Sequence, residues 1–151
     1  MLATAMVLVS SAFAPGGEIP VSASCRGAGR SPALTWSHVP AGTRAFAIVL
    51  DDPDANPGGA PFVHWLGWNI PGSARRLATG SRAPREGLNG AGTLGYTGPC
   101  PPSGRHHYRF RLYALSAPLA LAAGADRTDL VRALQGRVRG SALLVGRFRA
   151  G

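Results

Sequence analysis

Lysine is absent from this chain of 151 residues, and acidic residues are scarce. All sixteen basic residues are arginine, against seven Asp and Glu, and the formal net charge is +9. The arginines are scattered, since only Arg75 and Arg76 are adjacent. We therefore interpret the charge mainly as a compositional bias and do not expect nucleic acid to be a partner. An arginine-driven nucleic-acid binder stays open as an alternative.

Long hydrophobic runs are also missing. No run approaches the ~20 apolar residues that a membrane-spanning helix requires, so no transmembrane segment is expected. The apolar stretch Met1–Ala14 ends in Ala12-Phe13-Ala14, which resembles a signal-peptidase site, but no basic residue precedes Arg26. We interpret Val7–Phe13 as a first strand and expect a cytoplasmic protein. Export is the alternative if Met1–Ala14 acts as a signal.

The chain has only two cysteines, Cys25 and Cys100. They could form one bridge or remain two thiols, and their spacing does not decide between these. The sequence shows no short cysteine or histidine pair typical of zinc sites and no Gly-x-Ser-x-Gly nucleophile motif. Neither a metal nor a cofactor is therefore expected.

Glycine (21) and proline (13) are abundant and separate short apolar runs. Thr128–Arg139 is the one segment with clear helical periodicity, and Asp126 or Thr128 could cap it. Gly72–Gly95 is predicted to be a long polar loop. Residues 1–151 should form one mainly β domain, an antiparallel two-sheet β-sandwich with one or two peripheral helices. The predicted extended segments are Val7–Phe13, Ile19–Ala23, Ala33–Trp36, Arg44–Leu50, Phe62–Ile70, Arg105–Leu115 and Ala142–Phe148.

Three of the seven acidic residues stand together in Asp51-Asp52-Pro53-Asp54, directly after the buried strand Arg44–Leu50. Carboxylates this close repel one another, so such a cluster usually persists because a functional site needs it.

Three further segments carry polar groups suited to a site. They are His64 on an apolar strand, the proline-rich loop Gly98–Gly104, and His106-His107-Tyr108. On a strand, His106 and Tyr108 share one face and His107 points away. The prolines stiffen the loop, and its flanking glycines permit close backbone approach to a ligand.

Taken together and in order, these segments resemble the phosphatidylethanolamine-binding protein family, in its bacterial and archaeal Raf kinase inhibitor-like branch. Any single motif is weak, but the ordered set covers nearly the whole chain. The matching motifs are Ser31-Pro32-x-Leu34-x-Trp36, Asp52-Pro53-Asp54-Ala55, His64-Trp65, Asn69-Ile70-Pro71, Gly95-Tyr96-x-Gly98-Pro99-Cys100-Pro101-Pro102-x-Gly104 and His106-x-Tyr108-x-Phe110-x-Leu112-Tyr113-Ala114-Leu115.

The resemblance implies a non-enzymatic binding protein with a small pocket for an anionic or phosphorylated ligand, such as a phospholipid head group. It also implies a protein partner, such as a kinase or protease, and a homodimer as further expectations. A weak hydrolase that uses water activated by Asp52 or His64 is the alternative. Carried over by motif, the ligand-binding residues would be Asp52, Asp54, His64, Gly98, Pro99, Pro101, His106 and Tyr108.

Overall fold

The computed structural model describes residues 5–151, and these contain eight strands, one α-helix and one short 3-10 turn. The helix α1 is Arg127–Leu134, and the 3-10 turn is Val21–Ala23. The strands are β1 (Val7–Val9), β2 (Leu34–Ser37), β3 (Ala45–Asp52), β4 (Phe62–Pro71), β5 (Arg76–Leu77), β6 (Arg85–Glu86), β7 (Arg105–Leu115) and β8 (Val138–Arg149).

The strands form two antiparallel sheets, which confirms the predicted fold class. The larger sheet has the order β6-β4-β3-β7-β8, and the smaller has the order β1-β2-β5. Apolar side chains from both sheets, among them Leu34 and Phe110, form the main core. A second apolar cluster, which includes Leu130 and Leu134 of α1, covers the opposite face of the larger sheet.

Strand β3 is buried along its entire length, which explains its unbroken apolar sequence. Alternate residues, such as Phe46 and Ile48, enter the main core, while Ala47 and Val49 face α1. Strand β7 shows the predicted alternation, because Tyr108 and Phe110 are buried in the main core.

The structure corrects three expectations about local elements. The first strand ends at Val9 rather than at Phe13, although Phe13 still packs in the core. Ile19–Ala23 is not a continuous extended piece, because Val21–Ala23 forms the 3-10 turn. The loop Gly72–Gly95 contains the two-residue strands β5 and β6, which are too short to show any periodicity.

The helix is also shorter than Thr128–Arg139. Asp126 caps its start, accepting a hydrogen bond from the Asp129 amide at 2.9 Å. It ends at Leu134, and Gly136 then adopts a left-handed conformation with φ of +77°. Val138, predicted to extend the apolar helical stripe, instead begins β8 and is exposed.

Gly146 of β8 lies opposite Tyr108, where the chain before the 3-10 turn packs on the sheet. A Cβ atom at position 146 would lie 2.6 Å from Ile19 Cγ1 and 2.7 Å from Phe13 Cε2. We predict that Gly146→Ala lowers the free energy of unfolding by about 1–3 kcal/mol through overpacking. Ser141→Ala, at an exposed position of the same strand, should change it by less than about 0.5 kcal/mol. Equal urea denaturation midpoints for the two variants would contradict this packing.

Candidate functional site

A pocket of about 320 Å³ opens where β3 ends and β7 begins. Six of the eight predicted ligand-binding residues line this pocket: Asp52, His64, Gly98, Pro101, His106 and Tyr108. The structure thus brings together residues that are up to 56 positions apart in the chain, from 52 to 108. Ala55, Phe62 and Thr97 also line the pocket.

Asp52 organises one side of the pocket and is only 2% exposed. Its Oδ1 accepts hydrogen bonds from the backbone amides of Asp54 (2.8 Å) and Ala55 (3.1 Å), which closes the turn after β3. Its Oδ2 lies 2.6 Å from His106 Nδ1. Because a carboxylate accepts here, Nδ1 of His106 carries the proton. The Nε2 atom is the ring nitrogen left for a ligand.

His64 forms the neighbouring wall and is oriented by the backbone. Its Nδ1–H donates to the Thr97 carbonyl at 2.7 Å, since a carbonyl can only accept. The ring is 5% exposed, and burial lowers the pKa of His64 below its ordinary value of 6.5. His64 is therefore mainly neutral at pH 7 in the free pocket, with a lone pair on Nε2.

Tyr108 presents its hydroxyl to the pocket from β7, between the two histidines. Its ring centroid lies 5.2 Å from that of His64 and 6.5 Å from that of His106. Burial, reinforced by the nearby Asp52 charge, raises the pKa of Tyr108, so the hydroxyl keeps its proton. Asp52 lies near enough to influence this buried hydroxyl, but by distance and angle the hydroxyl forms no hydrogen bond with Asp52 or with any other group of residues 5–151. A buried donor without a partner is uncommon and marks a place where a ligand atom could bind.

The proline-rich loop closes the remaining side of the pocket. Gly98 lies so close to the 3-10 turn that a Cβ atom there would be 2.6 Å from the Ala23 carbonyl oxygen. Cys100 is joined to Cys25 by a disulfide, which settles the pairing that the sequence leaves open.

Asp54 and Pro99 do not line the pocket. The Asp54 carboxylate points outward and accepts from the backbone amide and from Nδ1 of His107, both at 2.8 Å. The backbone hydrogen bond is the main reason that the pKa of Asp54 is lowered. Pro99 contributes its carbonyl, which accepts from the Cys25 amide at 3.1 Å. A direct role in ligand binding for these two residues stays a prediction.

The third carboxylate, Asp51, lies on the opposite face of β3 from Asp52, because neighbouring side chains on a strand alternate. Arg109 binds it through two hydrogen bonds of 2.8 and 3.0 Å, and Arg127 binds it at 2.8 Å. The hydrogen bond to Asp51 raises the pKa of Arg109. Asp51 thus joins β3, β7 and α1 and does not line the pocket.

Sequence reasoning did not assign Phe62 to the site. Its ring centroid lies 4.7 Å from that of His64. The signal was present, since Phe62 and His64 are two positions apart on one strand and so share a face.

Two kinds of feature are absent from residues 5–151. No group of three or more His, Cys, Asp or Glu side chains is arranged to hold a metal ion. No helix there is long and apolar enough to cross a membrane.

Comparison with known proteins establishes the family. The model of the family described as phosphatidylethanolamine-binding protein matches residues 9–149, so the chain belongs to this family. It is 42% identical to a UPF0098 protein of Methanothermobacter thermautotrophicus, over 97% of this chain and 100% of the relative. It is 43% identical to a Mycobacterium tuberculosis protein named "Putative lipoprotein LppC", over 95% of this chain and 72% of the relative.

Solved structures agree. The crystal structure of the phosphatidylethanolamine-binding protein homologue CT736 from Chlamydia trachomatis matches with a TM-score of 0.92 and 36% identity. That match covers 97% of this chain and 99% of CT736. Escherichia coli YbcL, described as a member of the mammalian PEBP family, matches with a TM-score of 0.90 and 28% identity, over 98% of this chain and 100% of YbcL.

The two carboxylates of the Asp52-Pro53-Asp54 turn should contribute unequally to stability. Asp52→Ala removes three hydrogen bonds from a buried carboxylate and is expected to lower the free energy of unfolding by about 2–4 kcal/mol. Asp54→Ala removes an exposed contact to His107 and should cost less than about 1 kcal/mol. Urea denaturation at pH 7 measures both variants, and comparable losses would show that Asp52 does not organise the turn.

Proposed function

We propose that this protein is a non-enzymatic binding protein whose pocket takes a small anion, in particular a phosphoryl group. The observation that carries this proposal is the buried, unpartnered Tyr108 hydroxyl beside two histidines. A phosphoryl group has several acceptor oxygens, and it would give this donor the partner that the protein itself does not supply.

The two histidines would recognise different parts of such a ligand. His106 is held by Asp52 and directs Nε2 at the ligand, where a protonated ring would donate a charge-assisted hydrogen bond. The Nε2 of His64 could accept from a protonated phosphate oxygen, or become protonated and donate. Both rings are oriented before the ligand arrives, which lowers the entropic cost of binding.

The ligand class that we infer is a phospholipid head group or another phosphorylated molecule. The pocket wall has no thiol nucleophile, because Cys100 is held in the disulfide. This counts against a thiol hydrolase, and a hydrolase that activates water with Asp52 or His64 is tested by turnover. Turnover of phosphomonoesters or simple esters that is lost in His64→Ala would contradict a purely binding role. A protein partner and a homodimer stay predictions.

The disulfide also bears on the compartment. Stable disulfides are typical of oxidising environments outside the cytosol, and one relative is named as a lipoprotein. These observations support export over the cytoplasmic location expected from the sequence. Fractionation of the native host, with the redox state of Cys25 and Cys100 followed by thiol labelling, would test the location.

We predict that inorganic phosphate causes saturable chemical-shift changes at the side chains of His64 and His106 in ¹H–¹⁵N spectra. His64→Ala should abolish the changes, because one wall of the pocket is lost. His107→Ala is the matched control, since His107 follows His106 in sequence but contacts Asp54 on the outer surface. If neither histidine responds to phosphate at millimolar concentration, the pocket does not bind this anion.

The lowered pKa of His64 predicts a pH dependence. An anion in the pocket favours the charged imidazolium, so binding should take up a proton when the free ring is neutral. Sulfate does not itself titrate between pH 5 and 8, and its affinity should therefore increase as the pH falls from 8 towards 5. The expected limit for one proton is about tenfold per pH unit.

Calorimetric titration with sulfate at several pH values would measure this slope. His64→Gln should lower this slope, because glutamine cannot become charged. An affinity for sulfate that is independent of pH would show that His64 remains neutral in the complex.

A further inference from the structure

The pocket loop is held to the rest of the fold by unusually few hydrogen bonds. Thr97, the residue before the proline-rich loop Gly98–Gly104, is fixed to β4, since its amide donates to the His64 carbonyl at 2.8 Å and its carbonyl accepts from the His64 ring. From residue 98 to residue 103, the one hydrogen bond within the described part of the chain is that from the Cys25 amide to the Pro99 carbonyl. Three residues of this span are prolines, which have no N–H to donate.

The surface against which this loop rests is well anchored. The 3-10 turn places Ala23 in the main core, and the Ala23 carbonyl accepts the Tyr96 hydroxyl at 2.6 Å. Arg26 follows this turn, lies 4.7 Å above the centre of the Phe148 ring, and donates to the Arg149 carbonyl at 2.9 Å. The segment that carries Cys25 is therefore held in place, and the disulfide restrains the position of Cys100 relative to it.

We propose that the Cys25–Cys100 disulfide is a redox control of the anion pocket. The oxidised protein holds the wall formed by Cys100, Pro101 and Pro102 in place, and reduction releases it while the sandwich stays folded. This inference rests on the proposed anion-binding function, because it concerns the same pocket.

Both cysteine residues are exposed, so a reductant can reach them. The co-reactant is a dithiol, either a small molecule or a thioredoxin-like protein. One of its thiolates attacks a sulfur of the protein disulfide and forms a mixed disulfide, and the first protein thiolate leaves. The second thiolate of the reductant then displaces the other protein sulfur. The reductant is oxidised to a disulfide, and Cys25 and Cys100 become thiols after taking up two protons.

Release of the wall would lower the affinity, because fewer molecules would have a pocket already shaped to bind the ligand. The histidines, Asp52 and Tyr108 remain on or beside paired strands, so the charged part of the site persists. The ligand would, however, have to reorder the loop when it binds. The pocket would consequently be competent in an oxidising compartment and weak in a reducing one.

The first test is the affinity for inorganic phosphate of the same wild-type protein before and after reduction with dithiothreitol. If the released wall is correctly placed in about one molecule in ten, the apparent affinity falls by about tenfold. The double variant Cys25→Ser/Cys100→Ser should bind like the reduced protein and show no response to the reductant.

The outcomes separate the two proposals. Failure of the oxidised protein to bind phosphate would overturn the anion-binding function and this control with it. Equal affinities of the oxidised and reduced proteins would overturn the redox control alone and leave the anion pocket intact.

The second test does not depend on a ligand. Amide hydrogen exchange at Cys25, whose N–H donates to the Pro99 carbonyl of the loop, should accelerate on reduction, whereas exchange in β3 and β7 should not change. Unchanged exchange at Cys25 would overturn the proposal, as would global unfolding of the reduced protein in circular dichroism.

Discussion

The hydrogen bond between the Asp52 carboxylate and the His106 ring determines the form of the candidate site. It joins the last residue of β3 to the second residue of β7, and so connects the two central strands at the point where they separate. The same carboxylate closes the turn that follows β3. A single buried carboxylate thus fixes both the turn and the orientation of the His106 ring. Its burial is tolerable because the carboxylate has three hydrogen-bond partners.

Each histidine of the pocket has a protein hydrogen-bond partner at one of its two ring nitrogens. His64 uses Nδ1 for the Thr97 carbonyl, and His106 uses Nδ1 for Asp52. Their Nε2 atoms and the Tyr108 hydroxyl are left for a ligand, and the hydroxyl is fully buried without a partner. A buried polar group without a partner destabilises a fold. A ligand that accepts from the Tyr108 hydroxyl would remove this cost, which supports the proposed binding role.

Much of this arrangement could be predicted from the sequence, because it depends on strand periodicity. Side chains alternate between the two faces of a strand, which places His106 and Tyr108 on one face of β7 and His107 on the other. The ordered motifs indicated the family and six of the residues that line the pocket. The position of Asp54 could not be derived in this way. It lies in a turn, where no periodicity applies, and its direction is set by the amide of His107.

Other features depend on contacts between distant segments. In the disulfide the Cα atoms of Cys25 and Cys100 lie 5.5 Å apart, and a separation of 75 residues in sequence gives no indication of this. The early end of α1 reflects the pairing of Val138. This residue begins β8 and pairs with Leu115 of β7, so it does not continue the apolar face of the helix. Tertiary pairing here overrides a local pattern, as it often does at element ends.

The site therefore combines two supports of different stiffness. The charged groups are on or beside strands whose frame is shared with YbcL at only 28% identity, so many sequences can produce that frame. The opposite wall is a proline-rich loop held by two backbone hydrogen bonds, by the burial of Pro99 and Pro101, and by one disulfide. The proposed redox control depends on this difference, because breaking the disulfide would remove a support of the loop and none of the strand pairing. Under that proposal, the pocket would keep its ligand class while its affinity changes with the redox state.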